Sequence, residues 1–586
     1  MKKPLIFYAV STGVGCLFTL ECFDNVLVGI AIAILFFIIY FTTLKRKFFI
    51  INVLFFILAV LSTLNYFNID VGKSTEIRVL ENKGYYFLGN IRGRKIILNG
   101  NIEDIKEGNK IYAFGSFKIN RQFSRGIIGE YNIKKYVTLK KDIVYYSYQY
   151  KKFIHEKFQN AIGNDRAAIL MGISFGDTQY FNEDQNLEFQ KLGVVHAVSV
   201  SGLHMAVLYG AVENLLGFKL AVVASALYAF FTGMSAATVR AFIMIFIFKM
   251  SKIFFREYDS LSSLSLAAIV LMIAKPYYIV DVGFGLSFLA TLGILLYYSK
   301  LSRKLYMLPQ KINEGISLGL SSQIYSLPYI AFTIQKFSYV SLIANLFLVP
   351  IYSVVVVLGN IALIACFFAP LFNIIAHFVN TVLVAAEGSS YMILKLHSNI
   401  THLSYLEGIL IIIFYMSYIL YRSGYKKMKY FPIIFLIGVF LESYSFFTEI
   451  TALNFENGQS IIISNKNDKI MFCSYDLLHW KWIDDIKEHV NLDKLVTNPR
   501  EKTVYKIDKN KFLKLDFQQN NCTVVSLYEN RSKFNFVFSS KNKSNIDTGS
   551  ENTVYIPKIK EKQQYYNTLD SSIKYVIIFN RIIRVK

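Results

Sequence analysis

Residues 194–208 read VVHAVSVSGLHMAVL, an apolar run broken by two histidines, two serines and a glycine. Ionisable and hydroxyl side chains are costly in hydrocarbon, so in a membrane segment they face a protein interior or a watered cavity. On a continuous helix His196 and His204 stand about 12 Å apart along the axis and about 80° around it, too far to share one metal. The His-Glu-x-x-His spacing of zinc proteases is absent. Ser199 lies one turn from His196, but no Asp or Glu accompanies the pair, so a Ser–His hydrolase lacks its orienting acid. Three readings stay open: intramembrane hydrolysis, which this gap disfavours, hydrogen bonding between helices, and the lining of a polar passage.

Outward from this stretch, the 586-residue chain is 54% hydrophobic and 16% aromatic. Uncharged runs recur through its first three-quarters. A hydrocarbon layer of about 30 Å takes about 20 apolar residues per helix, so a single soluble core is excluded and a polytopic α-helical membrane protein is expected. Residues 1–69 read as three short-looped spans. Lys2, Lys3 and the cluster Lys45, Arg46, Lys47 mark the cytoplasmic side and send residue 70 outside. After residue 192 the apolar runs resume, with roughly seven to nine further spans up to 447. Arg422, Lys426, Lys427 and Lys429 again mark the cytoplasm, which places 448–586 outside.

Residues 70–150 switch to short β-rich runs separated by Gly and Asn turns, which predicts a small antiparallel barrel outside the membrane. Basic residues Arg92, Arg94, Lys95, Arg121, Arg125, Lys134 and Lys135 interleave there with rings such as Phe123 and Tyr131. A cationic groove with stacking rings suits single-stranded nucleic acid. An aromatic at barrel spacing is, however, more often core than platform. Residues 151–191 mix polar and apolar positions as interfacial amphipathic helices do. The tail alternates β-like runs with charged helical stretches such as DDIKEHV, which predicts a soluble α/β domain. The net charge of +23 fits both membrane orientation and a polyanionic partner. Five cysteines without C-x-x-C spacing suggest neither a zinc ribbon nor a redox pair.

Further polar residues sit in hydrophobic surroundings: Arg240, Asp281, Gln323 and Asn345. Arg240, alone in SAATVRAFIMIF, needs a counter-charge or a phosphate-like ligand, and Asp281 is a candidate for the former.

VVHAVSVSGLHMAVLYG, SAATVRAFIMIFIFKMSKIFFRE, KPYYIVDVGFGLSFLATLGIL and SQIYSLPYIAFTIQKFSYVSLIANLFLVP, in this order over about 167–365, resemble the competence domain of the ComEC family, the bacterial channel for transforming DNA. Asp177 in ISFGDTQ matches that family's Gly-Asp. The resemblance implies an OB-like domain at 70–150, the channel at 192–447 and a metallo-β-lactamase-like domain at 448–586. Two departures stand out. NFENGQSIII keeps only a trace of the family's Asp-Val-Gly-Gln-Gly-Asp run, and no His-x-His-x-Asp-His cluster occurs, so the tail reads as degenerate and non-catalytic. Gly285 stands where the family commonly has Gln.

The resemblance implies transport of single-stranded DNA across the bacterial inner membrane into the cytoplasm. His196, Ser199, Ser201, His204, Arg240, Gln323 and Asn345 would line the passage, Gly202 would allow close approach, and Asp281 would balance charge. No Walker loop is present, so an ATP-dependent DNA translocase in the cytoplasm is expected as a partner. A DNA receptor at the membrane surface and the lipid bilayer are the others, with self-association left open. No cofactor or metal is expected. The enzyme alternative is a membrane-bound nuclease or hydrolase acting on nucleic acid, and a small-molecule transporter is a third reading.

Overall fold

The computed structural model of the chain describes residues 3–455 except 70, 84, 85, 101–104, 199 and 397–399. Beyond them it describes 458–466, 468–473, 492, 494–497, 504–508, 511–518, 522–529, 532–539, 553–557, 573–578 and 581–585. The chain divides into two units, Met1–Ile334 with Ser338–Asn399, and Gln335–Phe337 with Ile400–Lys586.

The first unit opens with α1 (Pro4–Asp24), α2 (Val26–Thr43) and α3 (Arg46–Phe67). The stripe Ser11, Thr12, Gly15, Cys16 and Thr19 is buried on α1, because small residues let apolar helices approach closely where no hydrophobic effect drives them together. Ser11 donates to Asn52 Oδ1 of α3 at 2.7 Å inside this contact.

Five strands follow: β1 (Ser74–Asn82), β2 (Phe87–Ile91), β3 (Arg94–Gly100), β4 (Lys110–Gln122) and β5 (Ile127–Thr138). They close a barrel in the order β1-β2-β3-β5-β4. Alternation puts Ile77, Val79, Ile96, Leu98, Ile111 and Ala113 inside. The all-antiparallel barrel expected from sequence is corrected at one seam, where β3 and β5 run parallel. That return of β5 beside β3 gives the barrel its OB-like order.

The aromatic run at 144–150 looks β-prone but lies in α4 (Ile143–Ile162), started by Asp142, whose side chain accepts from Tyr145 N at 3.1 Å. The barrel thus ends twelve residues short of the expected 150, at Thr138. Then come α5 (Asn164–Phe175), α6 (Glu183–Leu192) and α7 (Val195–Val198). Of the helices expected to lie at the interface, α5 differs: Leu170, Met171, Ile173 and Phe175 are fully buried, packed in one core with Val355, Val356 and Ala362. Its run AAILMGISF has no polar face to present to water.

The remaining helices of this unit are α8 (Gly202–Leu216), α9 (Phe218–Phe231), α10 (Ala236–Ile253), α11 (Ser260–Ala274), α12 (Val282–Lys304), α13 (Gln310–Thr333), α14 (Ser341–Ala365) and α15 (Ala369–Leu396). A 3-10 turn at Pro276–Val280 precedes α12. The second unit holds α16 (Tyr405–Arg422) and α17 (Phe431–Ser443). Among the described residues seven helices are long and apolar enough to cross a membrane: α1, α2, α3, α12, α14, α15 and α16. Four of these fall after residue 192, where more spans were expected. The rest of that region includes shorter apolar helices such as α9 and α11.

In the second unit a six-stranded sheet runs Lys494–Thr497, Asp468–Cys473, Gly458–Lys466, Ser445–Phe455, Ile573–Ile578, Arg581–Arg584. A five-stranded sheet runs Val504–Asp508, Lys511–Gln518, Cys522–Glu529, Ser532–Ser539, Thr553–Pro557. Ile461, Ile463 and Phe472 of one sheet and Leu527, Phe534 and Phe536 of the other share one buried core, so the sheets face each other. The helical stretch expected at DDIKEHV, and His479 and His489, lie outside the described residues.

Candidate functional site

The stretch at 194–208 holds α7 and the start of α8, with Val200 and Ser201 non-helical before α8. Ser201 is the N-cap of α8, and its backbone N–H donates to His204 Nδ1 at 3.1 Å. A ring nitrogen that accepts carries no proton, so Nε2 holds the proton of this imidazole. His204 is almost wholly buried. The histidine spacing that is odd for one helix therefore has a local cause: the two rings belong to different helices.

Gly202 follows, and a Cβ there would lie 2.6 Å from Arg240 Nη2. The glycine makes the room in which the guanidinium of α10 sits. Arg240 is 8% exposed, donates from Nη1 to the Ser287 carbonyl at 2.9 Å and stands 5.9 Å from the Phe288 ring centroid. Among the described residues its Nε finds no partner. Among the described residues no carboxylate pairs with it. The expected Asp281 partnership is corrected: Asp281 caps α12 instead, accepting from Phe284 N at 2.7 Å.

His196 reaches the side chain of Asn345 on α14 and the backbone of Gly193. It is exposed together with Val195, while Val194, Ala197 and Val198 are buried. Gln323 of α13 donates to Ser341 Oγ of α14 at 3.4 Å. The sequence-selected residues thus form one group of His196, Asn345 and Gln323 and a second of Ser201, Gly202, His204 and Arg240. The two histidines are within electrostatic reach of each other and join these groups. Asp281 stands apart from both, and Ser199 lies outside the described residues. Gly285 faces the Tyr329 ring, where a Cβ would come within 2.5 Å, so the tyrosine fills the space that a larger residue at 285 would take.

Asp177 lies in the loop after α5, electrostatically coupled to Lys151 of α4 and Glu107 beside the barrel. Burial pushes the Asp177 and Glu107 carboxyls up and the Lys151 ammonium down, and the charge of Lys151 opposes the rise at both acids.

On the barrel the cationic set divides. Arg92, Arg125, Lys134 and Lys135 are exposed. Arg94 is committed to the end of α3, donating from Nε to Tyr66 O at 2.9 Å and from Nη2 to Asn65 O at 2.6 Å. Arg121 lies 4.4 Å from the Phe23 ring centroid, and Lys95 lies 5.2 Å from that of Tyr277. The stacking platform expected of Phe123 and Tyr131 is corrected. Phe123 stacks on Phe23 and edges onto Phe67, and Tyr131 is fully buried, donating to Lys73 O at 2.9 Å. These rings are spent on docking and barrel core. A ring that sequence reading passed over, Phe114 of β4, is 45% exposed and sits directly across from Lys135 of β5.

Sequence reasoning also missed the junction of barrel and helices. Gly126, in the left-handed region at φ 68°, lies flat against the Tyr277 ring, and its carbonyl accepts from Tyr66 Oη at 3.0 Å. A second missed pair is Lys249 of α10 with Glu213 of α8, at 2.6 Å to Oε2. The signal for both was available: a tyrosine pair in KPYYIV and the charges Glu213 in GAVENLLG and Lys249 in MIFIFKM, each alone in an apolar run. Among the described residues no group of three or more His, Cys, Asp or Glu is placed to hold a metal.

No solved structure matches the chain. It is 27% identical over 207 residues to ComE operon protein 3 of Bacillus subtilis (strain 168), an alignment covering 34% of this chain and 26% of that protein. It is 29% identical over 217 residues to an uncharacterized protein of Aquifex aeolicus (strain VF5), covering 35% of this chain and 50% of the relative. The matched part thus spans about a quarter and about half of those relatives. The family model described as competence protein matches residues 173–424, the stretch that carries His196, His204, Arg240 and the helices around them. Over residues 173–424 the chain is thus similar to the competence protein family, in agreement with the ComEC resemblance read from the sequence.

Proposed function

We propose that this chain conducts single-stranded transforming DNA across the bacterial inner membrane into the cytoplasm. The observation that carries the reading is Arg240. It is a buried guanidinium with no carboxylate partner among the described residues, seated against Gly202 within the matched competence domain. A buried cation left without a counter-charge is costly unless an anion visits it, and a phosphodiester passing through a hydrated conduit supplies one at each nucleotide. His196, Asn345 and Gln323 line the same conduit, and Ser201 with His204 holds the helix start that presents Gly202. Asp281 serves at the outer end.

The barrel and the C-terminal sandwich lie outside the cytoplasm in this reading, as the lysines at 45–47 and 426–429 imply. Exposed Arg92, Arg125, Lys134 and Lys135, with Phe114, gather the strand by phosphate attraction and stacking, which is salt-sensitive and largely blind to sequence. A surface DNA receptor delivers the strand, and a separate cytoplasmic ATP-dependent translocase pulls it. The chain itself acts as a channel rather than a nuclease.

The test separates DNA bound at the surface from DNA in the cytoplasm. Arg240→Ala, at normal protein level, should leave surface binding intact and reduce cytoplasmic DNA at least tenfold. Unaltered uptake in this strain and in a gene deletion would overturn the proposal.

A further inference from the structure

Beneath the barrel, at its junction with the helices, two lysines stand on two neighbouring tyrosine rings. Lys95 of β3 lies 5.2 Å from the Tyr277 centroid. Lys275, which ends α11, donates to Tyr278 Oη at 3.3 Å and lies 5.5 Å from that ring's centroid. The Tyr277 and Tyr278 centroids are 4.9 Å apart, and both rings are buried. Both lysines are half-buried, and among the described residues neither has a carboxylate within ion-pair distance. They repel each other, and the one acid coupled to both is Asp281, whose Oδ1 already accepts from Phe284 N at the start of α12. Glu81 also acts on Lys95 but is itself paired with Lys83, so the two ammonium groups face a single carboxylate not already matched by a cation, and the niche is left positive.

We infer that Lys95 and Lys275 form a phosphate-binding niche through which the strand passes from the barrel to the helical domain. The inference rests on the proposed DNA transport and gives it an outer site. Each ammonium has donors to spare, because a ring face takes up charge but no hydrogen bond. Two cations carried by different elements, one on the barrel and one on the helix bundle, fit a diester oxygen pair better than a single point ligand. Placement on aromatic rings holds both head groups in position before the strand arrives, so little ordering remains to be done on binding. A lipid headgroup carries the same phosphodiester, and the two sources are told apart below.

The test uses the full chain in nanodiscs with a fluorescent (dT)20 probe, reading affinity against salt concentration, alongside cytoplasmic DNA uptake in cells. Lys95→Gln and Lys275→Gln should each lower the slope of log affinity against log salt by about 0.7, the value of one lost phosphate contact on a single strand. Each should also cut uptake several-fold. Lys275→Arg keeps the charge and should retain both properties, which guards against misfolding as the cause. Lys311→Gln, exposed at the start of α13, serves as the control and should change neither. Unchanged slope and uptake in both glutamine variants, while Arg240→Ala still blocks uptake, would overturn the niche and leave the transport reading standing. Loss of bound phosphatidylglycerol with unchanged (dT)20 binding would assign the niche to lipid and equally overturn it. A wild-type chain that neither binds (dT)20 nor supports uptake would remove both.

Discussion

At the residue scale the competence domain is built on one substitution-sensitive contact, Gly202 against Arg240. With 2.6 Å between a new Cβ and Nη2, Gly202→Ala must push the guanidinium aside or open the α8–α10 contact. The variant is expected to reproduce the uptake defect of Arg240→Ala while surface DNA binding stays normal, as measured by protected cytoplasmic DNA against total cell-bound DNA. His204 yields a sharper test of chemistry against architecture. Its Nδ1 takes the backbone proton of Ser201, the job that Gln does in a Ser-x-x-Gln capping box. His204→Gln should therefore retain most uptake and His204→Leu should lose it, with about 1 kcal/mol of helix-start stability gone in the latter. Loss of uptake in His204→Gln at normal protein level would assign the imidazole a role beyond capping.

At the element scale α4 ties the barrel to the helices, and its anchor is Asp142. Arg78 of β1 donates to Asp142 Oδ1 at 2.9 Å and pairs with Oδ2 as well, while Asp142 caps α4. The guanidinium of Arg78 holds this carboxyl well below the usual carboxylate range. A group whose pKa is lower in the folded chain stabilises it above the unfolded value, near 3.9, and loses that contribution as pH falls below it. The thermal midpoint of Asp142→Asn should thus lie below wild type at pH 7, and the gap should close as pH falls below about 4. A gap that is constant across that range would place the effect outside ionisation. The same elements show where sequence is legible. The three first spans and the alternating barrel strands are readable because period and length alone decide them. The parallel seam of β3 with β5 and the helical fate of 144–150 are not, since tertiary pairing and one aspartate cap override local β preference.

At the scale of the whole molecule, the candidate site was legible as a set of costly residues but not as an arrangement. Arg240 was identifiable by its cost in an apolar run, whereas its partner was not, because pairing with Ser287 O rather than Asp281 depends on helix crossing. Likewise the barrel's positive character was legible, but which cations are free was not. Arg94 and Arg121 are drawn down onto Tyr66, Asn65 and Phe23, which leaves Arg92, Arg125, Lys134 and Lys135 for a ligand. This division predicts two phenotypes from one domain. Lys134→Gln with Lys135→Gln should lower (dT)20 affinity and the salt slope by about 1.4 for two lost contacts, with the barrel still seated. Gly126→Val places a branched side chain where the Tyr277 ring already lies and demands a positive φ of a β-branched residue. It should leave the exposed cations in place, so that adding Lys134→Gln and Lys135→Gln to it still lowers the salt slope by about 1.4, while uptake falls because the strand is gathered by a barrel no longer aligned with the helices. No further loss of slope on adding the two lysine changes to Gly126→Val would mean that docking and strand capture are one function of the barrel rather than two.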